Sequence, residues 1–288
     1  MSTQFNSQLQ LNSKRLRVEI ARPDDVRGTR WNRSGFVTQV TLDDRHTFCG
    51  RENAGGTEGV GLCGEFGITI PVGFDSAQVG DWFPKPGIGL LRRPDDAPYD
   101  FMHLYQLEPF PLRVEASPQL LRLVSQSLPC RGYAFQLQQT ISIEANRLHF
   151  AYELENTGEE PIETHEYRHN FLNLDGDGPG PKLSLHTSFA LVPRDEQPAP
   201  ASPITWEATP REAFMRRFDG APSGAWWEMR ANGISVRETV DAPLSALHLW
   251  GAPDVVSPEA FVDVCVAPGQ SQKWRRDYVF SSEEDATL

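Results

Sequence analysis

The run His165-Glu166-Tyr167-Arg168-His169 combines residue types and spacing that could carry out chemistry. On a helix, two histidines four residues apart would bind one zinc ion, and the glutamate between them would act as the base of a hydrolase. Pro161 lies just upstream, however, and the flanking residues show no helical apolar stripe. A strand is therefore the preferred interpretation, and the zinc hydrolase is kept as a minor alternative. A strand would place alternate residues on one face, namely His165, Tyr167, His169 and Phe171.

A second candidate is the strand-like run from Ser257 to Val266. Its alternation separates three valines from Glu259, Phe261 and Asp263 on the other face. A carboxylate beside an aromatic ring suits sugar recognition, although a solvated carboxylate on an edge strand gives the same pattern. Arg92 could add bidentate donors for hydroxyls or carboxylates.

The segment Gly59–Gly64 fits G-x-G-x-x-G, the pattern of a dinucleotide-binding turn. That function requires a buried strand before the glycines and a helix after them. The preceding residues are polar, and the following residues, Glu65 to Pro71, suggest extended chain. Nucleotide binding is therefore not expected.

Composition restricts the class of protein. The chain has 288 residues, seven Trp, sixteen Phe and a net charge of −12, so it can bury a large core but repels phosphate backbones and anionic lipids. We expect neither a nucleic-acid nor a membrane partner. The N-terminus lacks an apolar signal segment, and the widely spaced Cys49, Cys63, Cys130 and Cys265 suit reduced thiols, which together favour a cytoplasmic protein.

The elements that would position these residues are mainly strands, because period-2 alternation recurs along the chain and helical stripes do not. We expect one all-β domain over residues 1–288, a large antiparallel sandwich with few short helices, and residues 1–12 as a flexible N-terminal arm. One short helix is predicted over Pro210 to Phe218. The predicted strands include 16–20, 135–143, 148–154, 183–191, 234–240, 247–250, 262–266 and 274–280.

Two strings resemble the galactose mutarotase-like (aldose 1-epimerase) superfamily. The first runs from Tyr152 to Ile162 and continues from Tyr167 to Gly176, similar to a hairpin followed by an N-H-x-x-F-N-L-type segment. The second joins Ala267–Gln270 to the aromatic strand Trp274–Phe280. The first string departs from the pattern in two places, since Arg168 replaces an Asn and Phe171 falls one position early.

The resemblance implies a β-supersandwich with a sugar-binding cleft across one sheet. In such enzymes a glutamate takes the proton of the anomeric hydroxyl and a histidine protonates the ring oxygen, so that the ring opens and recloses as the other anomer. By position, His169 matches the acid and Glu259 the base, with Glu228 as a fallback for the base. We expect no cofactor and name no metal ligand, and the sequence leaves open whether a cation binds in the cleft.

The resemblance also suggests substrate-binding residues, although the segment that carries the usual second histidine is missing. His103 is the nearest candidate for that histidine, Arg92 lies where relatives hold an arginine, and His248 and Trp250 could bind and stack on a sugar. The expected partner is a small-molecule aldose, and a homodimer is left open. The net charge argues against an anionic substrate unless arginines gather locally, the candidates being Arg30, Arg92, Arg93 and Arg168.

The leading function is thus anomer interconversion. A non-catalytic carbohydrate-binding protein on the same fold is the alternative. A sugar-phosphate epimerase, a polysaccharide lyase-like enzyme and the zinc hydrolase with His165 and His169 as ligands are less favoured.

Overall fold

The computed structural model describes residues 8 to 52 and 59 to 287. Two short 3₁₀ helices, Pro23–Asp25 and Glu283–Thr287, are the helical elements of these ranges. No helix in the described ranges is long and apolar enough to cross a lipid bilayer. The strands are β1 (Gln8–Asn12), β2 (Leu16–Ala21), β3 (Val37–Leu42), β4 (His46–Thr47), β5 (Leu62–Phe66), β6 (Trp82–Lys85), β7 (Gly89–Arg92), β8 (Gln106–Pro109), β9 (Leu112–Ser117), β10 (Leu120–Gln126), β11 (Phe135–Glu144), β12 (Arg147–Asn156), β13 (Ile162–Asn170), β14 (Ser184–Thr187), β15 (Ile204–Thr205), β16 (Phe214–Ala221), β17 (Trp226–Ala231), β18 (Ile234–Val240), β19 (Leu244–Ala252), β20 (Val255–Val266) and β21 (Ser271–Ser282).

The strands form two large antiparallel sheets and a smaller one. The first large sheet has the order β1-β2-β3-β5-β13-β20-β19-β16, with β4 paired to β3. The second has the order β15-β14-β17-β18-β21-β12-β11-β10-β9, and β6, β7 and β8 form the small sheet. The architecture is the all-β sandwich with few short helices expected from the sequence.

The core lies between the two large sheets because their strands alternate buried and more exposed residues. β11 and β12 pair from Phe135↔Asn156 to Glu144↔Arg147, and along both strands every second side chain is buried. Phe150, Trp227 and Tyr278 are among the largest fully buried side chains. This pattern is that of strands with one face on a core.

A buried ionic cluster joins the two sheets behind β13. The Arg276 guanidinium of β21 donates to Glu166 Oε2 of β13 at 2.6 Å and to Glu238 Oε1 of β18 at 2.9 Å, and all three side chains are fully buried. Trp274 Nε1 donates to the same Glu166 oxygen at 3.0 Å. The inner face of β13 is therefore fixed to the second sheet, and the alternate residues face away from the core.

Most sequence-based strand predictions are confirmed, and two expectations are corrected. The predicted helix over residues 210–218 is wrong, because Phe214–Ala221 forms β16 and pairs with β19. Residues 8–12 of the expected flexible arm form β1, paired with β2 from Gln8↔Ala21 to Asn12↔Arg17, whereas residues 1–7 lie outside the described residues. In both places pairing with a neighbouring strand outweighs the local pattern.

The glycines of Gly59–Gly64 have a packing role. Gly61 has φ of +66°, and a Cβ atom there would overlap the carbonyl oxygen of Val37. The segment leads into strand β5 and not into a helix, as expected from the sequence.

Replacing Gly61 with alanine is expected to destabilise the protein by at least about 2 kcal/mol, because the residue is forced into both a left-handed conformation and a backbone overlap. Gly64→Ala is the matched control from the same motif, since the nearest atom to its Cβ is Arg168 Nη1 at 3.4 Å. Urea unfolding of the two variants measures the difference. Equal stabilities would contradict this packing explanation.

Candidate active site

A cavity of about 850 Å³ lies on the face of the first sheet that points away from the core. His165, Tyr167 and His169 of β13 line it, as the strand interpretation predicted. The alternate residues Glu166 and Arg168 point the other way, towards Arg276 and Tyr152 of the second sheet. The two-residue period of β13 thus separates a structural face from a cavity face.

Strand register brings His169 and Glu259 together. β13 and β20 pair from Ile162↔Val266 to Glu166↔Val262, and the same register continues at the bridge Leu172↔Val256. This register sets His169 opposite Glu259, and their Nε2 and Oε1 atoms are 3.1 Å apart. Both side chains are almost fully buried, with 4% of His169 and 2% of Glu259 exposed.

Aromatic rings surround the His169 imidazole. Phe171 stacks on it with ring centroids 3.9 Å apart, and Trp250 and Trp31 meet it edge-on at 4.9 and 5.7 Å. Burial lowers the pKa of His169 well below its ordinary value, and the nearby Arg30 lowers it further. The ring is therefore neutral at pH 7.

Burial has the opposite effect on the carboxyl group. It raises the pKa of Glu259 to about 8, although Arg30 and a hydrogen bond with Ser257 partly oppose the shift. At neutral pH the pair therefore holds one exchangeable proton, on Glu259. The 3.1 Å contact to His169 is not aligned as a hydrogen bond, and Glu259 Oε1 has no other hydrogen-bond partner in the described chain. The hydrogen-bonding capacity of that buried oxygen is therefore unused.

Arg30 supplies a fixed positive charge at the cavity wall. Its Nε donates to the fully buried Glu65 carboxylate at 3.0 Å, and its guanidinium lies 3.9 Å from the ring centroid of Trp31. Glu65 also accepts from Lys85 Nζ at 3.0 Å and from the Tyr167 hydroxyl at 2.6 Å. Because these contacts hold the guanidinium, Arg30 can present donors to a ligand with little loss of side-chain freedom.

Two of the predicted substrate-binding residues line the cavity. His248 pairs with Glu259 across β19 and β20, and Trp250 pairs with Ser257. Burial lowers the pKa of His248 to about 4, with further lowering by Arg217 and Arg194, so its ring is also neutral at pH 7. A neutral imidazole and an indole can offer hydrogen bonds and stacking area to a sugar.

Three other predicted residues lie elsewhere. Arg92 ends β7, where its Nε donates to the Gly80 carbonyl at 2.9 Å, so Arg30 is the arginine at the cavity wall near the pair. His103 packs its ring against Tyr105 at 4.6 Å and is not among the cavity-lining residues. The fallback base Glu228 is on β17 in the second sheet, where it pairs with Arg230 and Arg237.

His165 is a cavity residue that sequence reasoning considered only as a zinc ligand. It is 5% exposed, and its Nε2 has no hydrogen-bond partner within the described ranges. The alternation that puts His169 and His165 on one face was the available signal for it. His165 and His248 therefore provide the additional cavity imidazoles, whereas the predicted residue His103 does not.

The strand geometry of β13 does not suit the zinc-protease arrangement. Four residues span about 13 Å along a strand, against about 6 Å along a helix, so His165 and His169 are not stacked over one ion. Glu166 is on the opposite face and bound to Arg276, so it cannot serve as a base for a water in the cavity. Within the described ranges, no three His, Cys, Asp or Glu side chains cluster as a metal site.

Comparison with known proteins identifies the fold of the chain. No family model and no curated protein matches the sequence. Among solved structures, a galactose mutarotase related enzyme from Lactobacillus acidophilus is 11% identical with a TM-score of 0.62, covering 96% of this chain and 98% of that chain. A galactose mutarotase-like protein from Clostridium acetobutylicum is 9% identical with a TM-score of 0.63, covering 96% and 95%. A GalM/aldose epimerase homologue from C. elegans is 10% identical with a TM-score of 0.59, covering 96% and 99%. The chain therefore has the galactose mutarotase-like fold.

Proposed function

We propose that this protein is an aldose 1-epimerase-like enzyme that interconverts the anomers of a sugar. The observation that carries the proposal is the pair of His169 Nε2 and Glu259 Oε1, 3.1 Å apart at the wall of a cavity large enough for a sugar. The fold is shared with proteins described as mutarotase-related and as aldose epimerase homologues, which supports the same chemistry here.

The pair can act as acid and base in one step. His169, which is neutral, takes the proton of the anomeric hydroxyl while protonated Glu259 donates its proton to the ring oxygen. The C1–O5 bond breaks, the C1–C2 bond rotates, and the ring closes with the two proton transfers reversed. The resemblance implies the opposite assignment of acid and base, but both assignments need one proton on the pair.

The cavity wall supports this proton transfer. Arg30 lowers the pKa of Glu259, so its positive charge stabilises the carboxylate that forms when Glu259 gives up its proton. Its guanidinium has five N–H groups, more than its contacts with Glu65, Met102 and Tyr167 use, so it can also bind sugar hydroxyls, and Trp250 offers an indole face beside His169. These contacts would hold the ring so that O1 and O5 reach the two side chains.

A direct assay tests the proposal. Freshly dissolved α-glucose, α-galactose and a panel of other neutral, acidic and phosphorylated aldoses are followed by polarimetry and by saturation-transfer NMR. We expect at least one sugar to exchange anomers faster than in buffer. If none of them does, the proposed function is wrong.

The pH dependence of kcat/KM reports the proton on the pair. Because the pKa of Glu259 is raised to about 8, the pair loses its proton above that pH, and activity should fall about tenfold for each further pH unit. On the acid side, His169 gains a proton only well below 6.5, so activity should remain level from pH 6.5 to about 8. Rates with a neutral aldose, corrected for spontaneous mutarotation, measure this profile. Activity that rises through pH 8 would contradict it.

Nitrogen-15 NMR of the His169 ring distinguishes the two assignments of acid and base. A neutral ring at pH 7 is expected if Glu259 holds the proton. An imidazolium signal would instead support the assignment implied by the resemblance.

Non-catalytic sugar binding is the second candidate function, and the poor alignment of the His169–Glu259 contact is the observation that favours it. Calorimetric binding of a sugar without anomer exchange would support this candidate. Measurable exchange would exclude it.

A further inference from the structure

The His169–Glu259 pair belongs to a longer row of polar residues that crosses the first sheet. His248 of β19 pairs with Glu259, and Arg217 of β16 pairs with His248. The row continues beyond β16, because the bridge Pro193↔Phe218 sets Arg194 beside Arg217, and Arg194 N donates to Arg217 O at 2.9 Å. One edge of the cavity thus carries two neighbouring arginines.

The arginines of the cavity differ in how far their charges are compensated. Arg30 is paired with Glu65 at 3.0 Å, and Arg194 with Asp219 at 3.0 Å. Arg217 is exposed and lines the cavity, and in the described part of the chain its guanidinium makes no hydrogen bond or ion pair. Because it lines the cavity without a carboxylate partner, Arg217 is positioned to attract an anion into it.

The distance from Arg217 to the acid–base pair fits one sugar molecule. Arg217 is two strands away from Glu259, which corresponds to about 10 Å between backbones. A hexose ring with one exocyclic group, together with the length of an arginine side chain, bridges that distance. His248 lies between them and is neutral at pH 7, so it can hydrogen-bond the sugar without adding charge.

Acidic residues also line the cavity. Asp263 is exposed and lies four residues along β20 from Glu259, about 13 Å away along the strand and next to His165. Glu52 also lines the cavity. An anionic ligand group is therefore favoured at the Arg217 end of the row, away from Asp263.

We infer that the substrate is an aldose with an anionic group on its exocyclic carbon, and that Arg217, assisted by Arg194, binds that group while the anomeric centre lies on His169 and Glu259. The inference rests on the proposed function and narrows its substrate class. The anion could be a phosphate ester or a carboxylate, since guanidinium groups bind the oxygens of both.

The test compares glucose, glucose 6-phosphate and glucuronate as substrates. We expect kcat/KM for at least one of the two anionic sugars to exceed that for glucose by about tenfold or more, because charge-assisted hydrogen bonds are stronger than neutral ones. The anionic sugar with the larger kcat/KM shows whether a phosphate or a carboxylate is the preferred group. Equal values for all three sugars would overturn the inference while leaving anomer interconversion intact.

Variants assign the effect to Arg217. Arg217→Ala should bring the ratio of kcat/KM for the anionic sugar to kcat/KM for glucose close to one, and Arg217→Lys should restore part of that ratio. Arg113→Ala is the matched control, since it removes one exposed arginine from β9 in the other large sheet. If Arg113→Ala weakens the anionic substrate as much as Arg217→Ala does, overall charge and not a binding site explains the effect, and the inference fails.

A binding measurement keeps the two proposals separable. If no sugar exchanges anomers, the proposed function fails, and calorimetry of glucose 6-phosphate and glucuronate with wild type and Arg217→Ala then tests the anion site alone. Binding of either sugar that is lost in Arg217→Ala supports the site. Binding that is absent or unchanged by the substitution rejects it.

Discussion

Replacing His169 with alanine is expected to lower kcat for anomer exchange by about 10²- to 10⁴-fold, the range that one general acid–base group contributes. In the proposed mechanism His169 takes the proton of the anomeric hydroxyl, and its Nε2 atom lies 3.1 Å from Oε1 of the partner Glu259. Without it, the anomeric hydroxyl loses its proton to water or not at all. Saturation-transfer NMR at a saturating sugar concentration measures kcat directly.

His169 stacks on Phe171 and is buried, so its replacement can also destabilise the fold. A control must therefore distinguish the loss of proton transfer from the loss of packing. His169→Gln retains a polar side chain of similar reach and should be as inactive as His169→Ala while remaining better folded. His149→Ala is the matched control, since that ring is bonded to Asp277 at 2.6 Å on the second sheet, away from the cavity. A folded His169→Ala protein with wild-type kcat would exclude His169 from the mechanism.

Glu259→Gln tests the other half of the pair. The glutamine keeps the shape of the side chain but cannot release and regain a proton, so we expect a loss of similar size to that in His169→Ala. The double variant should be little worse than either single variant, because the two groups act as a unit.

The sequence predicts the strands well where one face meets the core. β11, β12, β18 and β21 alternate buried and more exposed residues, apolar residues fill most of the buried positions, and a period of two has no other common explanation. The same period correctly put His165 and His169 on one face. The helix predicted over residues 210–218 failed because its local pattern is weak and the pairing of β16 with β19 decides the structure.

The candidate site is harder to predict because it depends on register between strands that are distant in sequence. His169 and Glu259 were named from a family resemblance, and nothing in either strand alone shows that the two residues are opposite each other. Two further strand registers, β19 with β20 and β16 with β19, place His248 beside Glu259 and Arg217 beside His248. The sequence alone does not show these registers, and it therefore does not point to Arg217. Arg92 is named because the resemblance places an arginine in its region, and only the buried Glu65 shows that Arg30 is the arginine held at the cavity.

Replacing Arg276 with methionine is expected to destabilise the protein by about 3 to 5 kcal/mol, the cost of breaking a buried ion pair from one side. The substitution leaves two carboxylates, Glu166 and Glu238, fully buried without their cation. Because such a loss is a large part of the stability of a typical domain, the variant should unfold at much lower urea concentration. Arg275→Met is the matched control, since the neighbouring residue points to the other side of β21, is 53% exposed and pairs with Asp277. Its expected cost is below about 1 kcal/mol.

A triple variant, Arg276→Met with Glu166→Gln and Glu238→Gln, shows whether unpaired charge is the cause. Both glutamines keep an oxygen that can accept the indole N–H groups now bonded to the carboxylates, from Trp274 at 3.0 Å and Trp227 at 2.6 Å. If the buried charges carry the cost, the triple variant should regain more than half of the stability lost in Arg276→Met. If it is as unstable as the single variant, the loss lies in the guanidinium's hydrogen bonds to the Glu166 and Ala260 carbonyls. Because Glu166 sits between His165 and Tyr167 on β13, a triple variant that is refolded but inactive would show that the ionic cluster also positions the cavity face of that strand.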